Sequence, residues 1–303
     1  MISLTDLRFI EALGRTGSLS AAARLLNVTP PALSMRLKRL EEELGVRLVA
    51  RGPRLMRLTS EGENLSSEAR HIVGRVDELP RMLDVAHGRL AGPLRIVAPL
   101  GFGRAHIAPL VAKFATAHPS LRPDLHLSDT PWKASDSADV VIHIGELRDS
   151  SWVAHLLARN ERWACASAKY LASRGTPDHP KKLVEHACLT ILENEEDVTL
   201  WHYRRRARDP KRYESVRITP TLRSNDGEVV RGWAMSGLGV ALRSQWDVAA
   251  LVRNGSLVRI LEGFEFQPAH VMALIPARRG GSARVEQFVR FLKGNLSRKA
   301  PWR

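Results

Sequence analysis

The sequence predicts an α/β protein in three parts: a small helical unit, one long helix, and a larger unit that mixes strands and helices. Two observations support this fold class. Within residues 1–59, two short helical patterns precede two strand-like stretches, and residues 60–92 carry one long helical pattern. Over residues 93–303, short apolar runs typical of buried strands alternate with amphipathic segments typical of helices, which is the order of an α/β domain.

The first part contains two short helices separated by a tight turn. Ser18 and Thr29 are good N-cap residues for the two helices. Pro30 and Pro31 suit the first turn of the second helix, where no amide donor is needed. Asn27 can adopt the left-handed conformation that ends the first helix. The pattern therefore predicts a helix–turn–helix.

The second of these helices has an apolar side and a cationic side. Leu33, Leu37 and Leu40 form the inward stripe, and Leu25 and Leu26 are expected to bury the end of the preceding helix. A helix-turn-helix lays such a helix into the major groove of DNA. The alternative is an ordinary helical hairpin with a solvated basic face. The outward-facing residues are Ser34, Met35, Arg36, Lys38 and Arg39.

A basic ribbon follows. Residues 46–49 and 51–58 are predicted to form a strand, a turn and a returning strand that carries Arg51, Arg54 and Arg57. Such a wing beside the second helix favours DNA binding over the plain hairpin. The predicted DNA-binding residues are Thr29, Pro30, Pro31, Ser34, Met35, Arg36, Lys38, Arg39, Arg51 and Arg54.

The long helical pattern carries an apolar stripe. Ser60 and Glu63 have the spacing of a capping box, and Pro80 should kink the helix. Apolar residues recur at alternating intervals of four and three, which predicts a coiled coil with a second chain in a homodimer or homotetramer. The alternative is packing against the protein's own domain. The predicted dimerisation residues are Leu65, Ala69, Ile72, Val76, Leu79 and Leu83.

These motifs, in this order, resemble the LysR-type transcriptional regulators. The matching motifs are Leu4-x-x-Leu7-x-Phe9, Gly17-Ser18-Leu19, Ala21-Ala22, Pro31-Ala32-Leu33-Ser34, Leu40-Glu41-x-x-Leu44-Gly45-Val46-x-Leu48 with Arg51, and Leu58-Thr59-x-x-Gly62. The resemblance implies a winged helix-turn-helix that binds double-stranded DNA at an imperfect inverted repeat, with RNA polymerase as a further partner. The chain departs from the family where Val49 replaces the usual Phe, Pro30 a frequent Gln and Met35 a common Arg.

Residues 93–303 resemble the effector domain of the same family, which has the fold of two-lobed periplasmic binding proteins. They look closest to the branch exemplified by regulators of malate and tartrate metabolism. The resemblance implies a lobe I of residues 93–161 and 267–303 and a lobe II of residues 162–266. It rests on four stretches, residues 98–104, 139–147, 175–177 and 224–226.

A small-molecule site is predicted where the first strand of this domain ends. Residues 99–103 lead from a strand through a turn into a helix N-terminus, where free amides and the helix dipole favour a carboxylate. The alternative is a loop that binds nothing. Relatives often carry a hydroxyl residue where Gly101 stands. Either backbone amides alone hold a small acid, or the glycine makes room for a bulkier acid with Trp132 as a wall. The apolar surface of Leu100 and Trp132 favours the roomier pocket. The predicted effector-binding residues are Pro99, Leu100, Gly101, Phe102, Gly103, Ser128, Thr130, Trp132, Gly145 and Asn225.

Composition excludes other classes. The 46 Lys and Arg outnumber the 32 Asp and Glu, but much of the excess lies outside residues 1–60, so it indicates solubility as readily as DNA binding. Cys165 and Cys188 have no metal spacing and are expected to be buried thiols. No catalytic motif, signal pattern or long apolar run is present. We therefore expect a cytoplasmic protein without enzymatic activity, cofactor, metal or membrane contact. The basic run of residues 203–212 is predicted to be a solvated loop rather than a DNA contact.

Taken together, the sequence predicts a DNA-binding transcriptional regulator modulated by a small, anionic effector. One alternative is an architectural DNA-binding protein without an effector, which ligand-induced thermal stabilisation would exclude. Another is an enzyme or solute-binding protein fused to a DNA-binding head, which would require detectable turnover or a signal sequence.

Overall fold

The computed structural model describes residues 2–51, 56–85, 90–132, 138–147, 152–192, 198–206, 212–277, 282–297, 300 and 302. The chain divides into two compact units, Met1–Arg89 and Leu90–Arg303. Within the described residues, every helix is too short or too polar to span a membrane.

The first unit is a winged helix-turn-helix followed by a long helix. Its elements are α1 (Leu4–Thr16), α2 (Leu19–Leu25), α3 (Pro30–Leu44), β1 (Val49–Arg51), β2 (Met56–Leu58) and α4 (Ser60–Val85). The predicted stripe of Leu33, Leu37 and Leu40 is buried with Phe9 and Leu13 of α1 in one core. Apolar residues spaced at helical intervals therefore decide how these helices pack.

The turn between α2 and α3 has the predicted geometry. The Ser18 side chain accepts a hydrogen bond from the Ala21 amide, and Asn27 is left-handed with φ 54°. Thr29 occupies the N-cap of α3 without a side-chain bond, and prolines fill the first two helical positions. One detail is wrong: the Leu25 side chain is 50% exposed and does not bury the end of α2.

Helix α4 corrects two predictions, the residue that caps it and the place of Ala69. Thr59 rather than Ser60 caps it, because the Thr59 hydroxyl accepts from the Gly62 amide at 3.1 Å. The helix continues through Pro80 to Val85. Ala69 was predicted to lie in the dimer contact, but its side chain is fully buried in the core of the first unit. Leu65 packs partly against the same core. Ile72 is exposed and Val76 half-buried, whereas the side chains of Leu79 and Leu83 lie outside the described residues.

The second unit has two lobes built on separate sheets. Lobe I contains a five-stranded sheet in the order β4-β3-β5-β15-β6, in which β3, β4 and β5 are parallel. Its helices α6 and α10 contribute Phe114, Phe288 and Leu292 to the core under this sheet. The lobe I elements are β3 (Gly92–Pro99), α5 (Leu100–Phe102), a π-helical turn (Gly103–Ile107), α6 (Ala108–Ala117), β4 (Leu121–Ser128), β5 (Val140–Ile144), β6 (Trp152–Ala158), β15 (Val271–Pro276) and α10 (Ala283–Leu296).

Lobe II contains a five-stranded sheet in the order β11-β8-β12-β7-β13 and a three-stranded sheet in the order β10-β9-β14. Its elements are β7 (Arg162–Ala166), α7 (Ala168–Arg174), a 3₁₀ turn (Pro180–Glu185), β8 (Cys188–Ile191), β9 (Leu200–Arg205), β10 (Glu214–Arg217), β11 (Pro220–Ser224), α8 (Gly227–Met235), β12 (Val240–Ser244), α9 (Gln245–Arg253), β13 (Val258–Ile260) and β14 (Phe264–Phe266). The chain passes between the lobes at residues 159–161 and 267–270.

The basic run of residues 203–212 was predicted to be a loop, but its first residues belong to strand β9. Tyr203 is buried in strand β9, and Arg204 pairs with Glu265 of β14 at 2.8 Å. Arg206 pairs with Glu161 at 3.3 Å. These arginines therefore have acidic partners from distant parts of the chain. Residues 207–211 of the run lie outside the described residues.

Candidate DNA-reading surface and effector cleft

The outward face of α3 starts at its exposed N-terminus. Thr29, Pro30 and Pro31 are exposed, as are Ser34, Met35, Lys38 and Arg39 further along the helix. The Met35 side chain is 71% exposed, although it is apolar. The predicted DNA-binding residues of α3 therefore share one surface, with Arg36 as a half-buried exception.

Arg36 is half-buried because it binds Asp6 of α1. The Asp6 carboxylate accepts hydrogen bonds from Arg36 Nε at 2.7 Å and Arg39 Nη2 at 3.0 Å. It also accepts from the amide of Ser3 at 3.0 Å and from the Ser3 hydroxyl, while the Ser3 side chain caps α1 in return. Sequence reasoning missed Asp6, although its position at N3 of α1, three residues after a serine, fits a capping box.

Burial and hydrogen bonding act on Asp6 in opposite directions. Burial alone would raise its pKa, but the bonds from Ser3 and the charge and bond of Arg36 lower the pKa to about 2. The side chain is 1% exposed. Asp6 is therefore an ionised carboxylate enclosed between α1 and the outward face of α3.

The wing is attached to the C-terminal end of α3 by Glu41. The Glu41 carboxylate accepts from the amides of Leu48 at 2.8 Å and Val49 at 3.2 Å, and Arg47 pairs with it at 3.4 Å. Strands β1 and β2 pair antiparallel, with Val49 opposite Leu58. Arg51 ends β1, but its side chain and all of Arg54 lie outside the described residues.

In the second unit, most of the predicted effector residues of lobe I lie at one edge of its sheet. Strands β3 and β4 are parallel and end together, with Pro99 opposite Ser128. The Ser128 hydroxyl accepts from the Thr130 amide at 3.0 Å. Gly145 follows the end of β5 with φ 124°. The carboxyl ends of parallel strands are where open α/β folds bind ligands.

Residues 101–103 form no turn, in contrast to the prediction. A helix begins directly at Leu100, after Pro99, and continues through the π-helical turn. The Gly103 amide donates to the Leu100 carbonyl, so it is not free for a ligand. A Cβ on Gly103 would overlap Leu127, so this glycine allows close packing of the helix on β4.

An aromatic cluster covers the start of this helix. A Cβ at Gly101 would lie 3.2 Å from Cη2 of Trp246, the second residue of α9. The Phe102 ring is 5.2 Å from that indole and 5.8 Å from that of Trp302. His106 contacts both indoles, and its burial lowers its pKa. The aromatic wall beside Gly101 is thus Trp246, which sequence reasoning missed because it lies 145 positions away in the chain.

Trp132, predicted to form that wall, packs elsewhere. Its ring is 5.7 Å from Trp152 and 6.4 Å from His143. It joins a second, smaller cluster with Val97 and Leu274. Trp132 is therefore a packing residue of lobe I and does not form the wall beside Gly101.

Charged and polar side chains bridge the two lobes beside the helix start. Arg104 of lobe I pairs with Asp226 at 3.3 Å and Glu228 at 3.0 Å, both at the N-terminus of α8. Asn225 donates from Nδ2 to the Asp129 carboxylate at 2.7 Å. Asn225 therefore contacts the other lobe, whereas Asp226 provides the cap of α8.

Behind this bridge lies a buried charge network in lobe II. Asp247 pairs with Arg231 at 2.6 Å and with Arg243 at 2.8 Å. Arg231 also pairs with Glu228 at 3.2 Å. Ion pairs thus connect the buried Asp247 to Arg104 on the other lobe.

Asn160 ties together both passages of the chain between the lobes. It is 1% exposed. Its Nδ2 donates to the Ala269 carbonyl at 2.8 Å and to Ser244 Oγ at 3.2 Å, and its Oδ1 accepts from the Trp246 amide at 3.3 Å. Its own amide donates to His270 Nδ1 at 3.3 Å.

Among the described residues, no three His, Cys, Asp or Glu side chains form a cluster that could hold a metal ion.

Two family models match the chain: the bacterial regulatory helix-turn-helix protein of the lysR family over residues 4–63, and the LysR substrate binding domain over residues 87–297. The chain is 33% identical to the HTH-type transcriptional regulator DmlR of Escherichia coli (strain K12) over 299 residues, 98% of this chain and 96% of DmlR. It is 32% identical to the HTH-type transcriptional activator TtdR of Escherichia coli (strain UTI89 / UPEC) over 288 residues, 95% of this chain and 91% of TtdR.

Among solved structures, the fold is similar to that of CrgA, a LysR-type transcriptional regulator from Neisseria meningitidis. The TM-score is 0.59 at 28% identity, and the match covers 98% of this chain and 99% of the CrgA chain.

Proposed function

The chain belongs to the LysR family of transcriptional regulators, and we propose that a small carboxylate bound between the lobes of its effector domain controls how its α3 helices meet DNA. Regulators of this family bind DNA and small-molecule effectors and form oligomers. Our proposal adds the chemical class of the effector and the residues that hold it. It places the protein in the cytoplasm, where its DNA and RNA polymerase would be.

The observation that carries the proposal is the position of Arg104. This guanidinium stands between the lobes, one turn into the helix that begins at Leu100, and it is 48% exposed. Arginine binds carboxylates in a two-bond geometry that matches its planar donors. A carboxylate at the helix start would receive the free amides of that first turn and would compete with Asp226 and Glu228 for Arg104.

Trp246 favours a small acid over a bulky one. Its indole fills the space beside Gly101 that the missing side chain leaves. The resemblance of this half of the chain to regulators of malate and tartrate metabolism makes those hydroxy-dicarboxylates the first acids to test.

Calorimetry with the purified protein tests the site. We titrate malate, tartrate and succinate, then benzoate and salicylate, into the wild type and into Arg104→Ala. We expect a dicarboxylate to bind the wild type and to lose at least tenfold in affinity in the variant, because a hydrogen bond to a charged group contributes about 1.5–3 kcal/mol. Arg122→Ala, which removes an exposed arginine of strand β4, is the control and should bind like the wild type. If no acid gives heat with the wild type, the effector-free architectural alternative is favoured.

A second variant tests the competition. Asp226→Asn keeps an acceptor for the α8 cap but removes one acidic partner of Arg104. We expect it to bind the same dicarboxylate several-fold more tightly. Asp178→Asn is the matched control, since it removes the acid of an exposed pair with Lys182 in the same lobe. Equal affinity in Asp226→Asn and the wild type would mean that the ligand does not take Arg104 from this bridge.

DNA binding is proposed to use α3 and the wing, with Lys38, Arg39 and Arg51 on phosphates. Each neutralised phosphate contributes about −0.9 to the slope of log affinity against log salt. Lys38→Ala should therefore flatten the slope by about that amount and weaken specific and random duplexes alike. An unchanged slope would remove Lys38 from the interface.

A further inference from the structure

We infer that Asp6 is a positioning residue for DNA reading: it orients Arg36 and Arg39 of α3 before the protein meets DNA. Asp6 lies on α1, outside the helix-turn-helix, and touches no DNA itself. The inference rests on the proposed reading surface of α3 but is independent of any effector.

The first step is the geometry of Arg36. Asp6 binds its Nε at 2.7 Å. A guanidinium has five N–H donors in a rigid plane, so a bond at Nε fixes that plane and leaves its other edge for a second partner. That edge can bind O6 and N7 of a guanine, the commonest specific contact of arginine. Arg36 is 29% exposed, so it remains accessible from the reading face.

The second step concerns the conformational freedom of the two arginine side chains. A long arginine side chain loses rotamer freedom when it binds, and this loss weakens binding. Asp6 restricts both arginines in the free protein, because its carboxylate is buried and is held in place by the backbone amide of residue 3, which Ser3→Ala would keep. DNA then meets side chains that are already oriented.

The third step is charge. Arg36, Lys38 and Arg39 give the α3 face three positive charges, and Asp6 cancels one of them at bonding distance. Positive charge binds any duplex through its phosphates, whereas oriented donors distinguish bases. Asp6 therefore strengthens selection in two ways, since it orients the base-reading Arg36 and reduces sequence-independent attraction.

The test compares Asp6→Asn with the wild type on two duplexes: one selected from a random pool by the wild-type protein, and a scrambled one. We expect about a tenfold loss on the selected duplex. Affinity for the scrambled duplex should be equal or higher. The salt slope should steepen by about 0.9, because a released arginine can bind one more phosphate. Asparagine keeps the size of the side chain and an oxygen acceptor, and thermal melting checks that the head is folded.

Two further variants isolate the mechanism. Arg36→Ala should lose affinity for the selected duplex, and adding Asp6→Asn to it should cause much less than a further tenfold loss, since the two residues act together. Ser3→Ala removes the cap of α1 but leaves the carboxylate and both arginines. It should lower the melting temperature without changing the ratio of selected to scrambled affinity.

Three results would overturn the inference. Equal losses on both duplexes at an unchanged salt slope would mean that Asp6 only stabilises the head. Additive losses in the double variant would mean that Asp6 does not act through Arg36. Full affinity of Arg36→Ala for the selected duplex would show that there is no reader to position, while DNA binding by α3 would still stand on the Lys38 result.

Discussion

Cη2 of Trp246 lies 3.2 Å from the place where Gly101 would carry a Cβ, so an indole from α9 occupies the position of the missing side chain. This contact joins the start of the lobe I helix to the segment that follows strand β12. Any side chain at position 101 must displace the indole by a few tenths of an ångström.

Gly101→Ser tests whether a hydroxyl can act beside that indole. We expect a small dicarboxylate to bind more tightly in this variant, by up to about 1.5–3 kcal/mol, because the serine adds a hydrogen bond to a charged group. Calorimetry measures the change. Gly101→Ala, which displaces Trp246 to the same extent without a hydroxyl, is the control. Equal affinities in the two variants would show that the serine hydroxyl does not reach the ligand.

The exposed side of α4 should carry the oligomer contact. Ile72 is 44% exposed and Val76 half-buried in the head, so both are accessible to a second chain. Ile72→Asp and Val76→Asp would bury an unpaired charge in that contact, and sedimentation should detect monomers or a weaker dimer. Asn64→Asp, an added charge at another exposed position of α4, should sediment like the wild type. If all three variants match the wild type, the contact lies elsewhere.

Acid should destabilise the head through Asp6. Its pKa is about 2 in the folded head against an ordinary 3.8, so its contribution is fully present above the ordinary value and is lost as the pH falls through the folded one. We expect the free energy of unfolding to fall by about 2 kcal/mol between roughly pH 4 and pH 2 from this group. Urea unfolding of the wild type should show this loss and Asp6→Asn should lack it. If the free energy of unfolding falls equally with pH in both proteins, other carboxylates cause the acid sensitivity.

Both cysteines should be unreactive in the native protein. Burial raises the pKa of Cys165 and of Cys188 to about 12, and the thiolate is the reactive form. We expect no labelling by a thiol reagent at neutral pH and two labelled thiols per chain in denaturant. Rapid native labelling, with Cys165→Ser or Cys188→Ser identifying the site, would indicate that a lobe II core opens locally.

Local pattern predicts local structure well here. The leucine stripe of α3, the left-handed Asn27 and the caps around the first turn depend on residues within one or two helical turns. Strand β9 was missed because the arginines of its C-terminal half look solvated in isolation, and their partner Glu265 is 61 positions from Arg204. The roles of Trp246 and Asp6 were not predicted for the same reason, since they depend on residues that only the tertiary fold brings near. Ala69 fits a coiled-coil heptad and a head core equally well, because both need small apolar residues on one side of a helix.

Asn160 bonds the two interlobe passages to each other and to the Trp246 amide. Sliding of the lobes along each other would break these buried hydrogen bonds, whereas a rotation that bends both segments together would keep them. We therefore expect ligand binding to change mainly the angle between the lobes. A small ligand that changes this angle would therefore change the conformation of the whole domain.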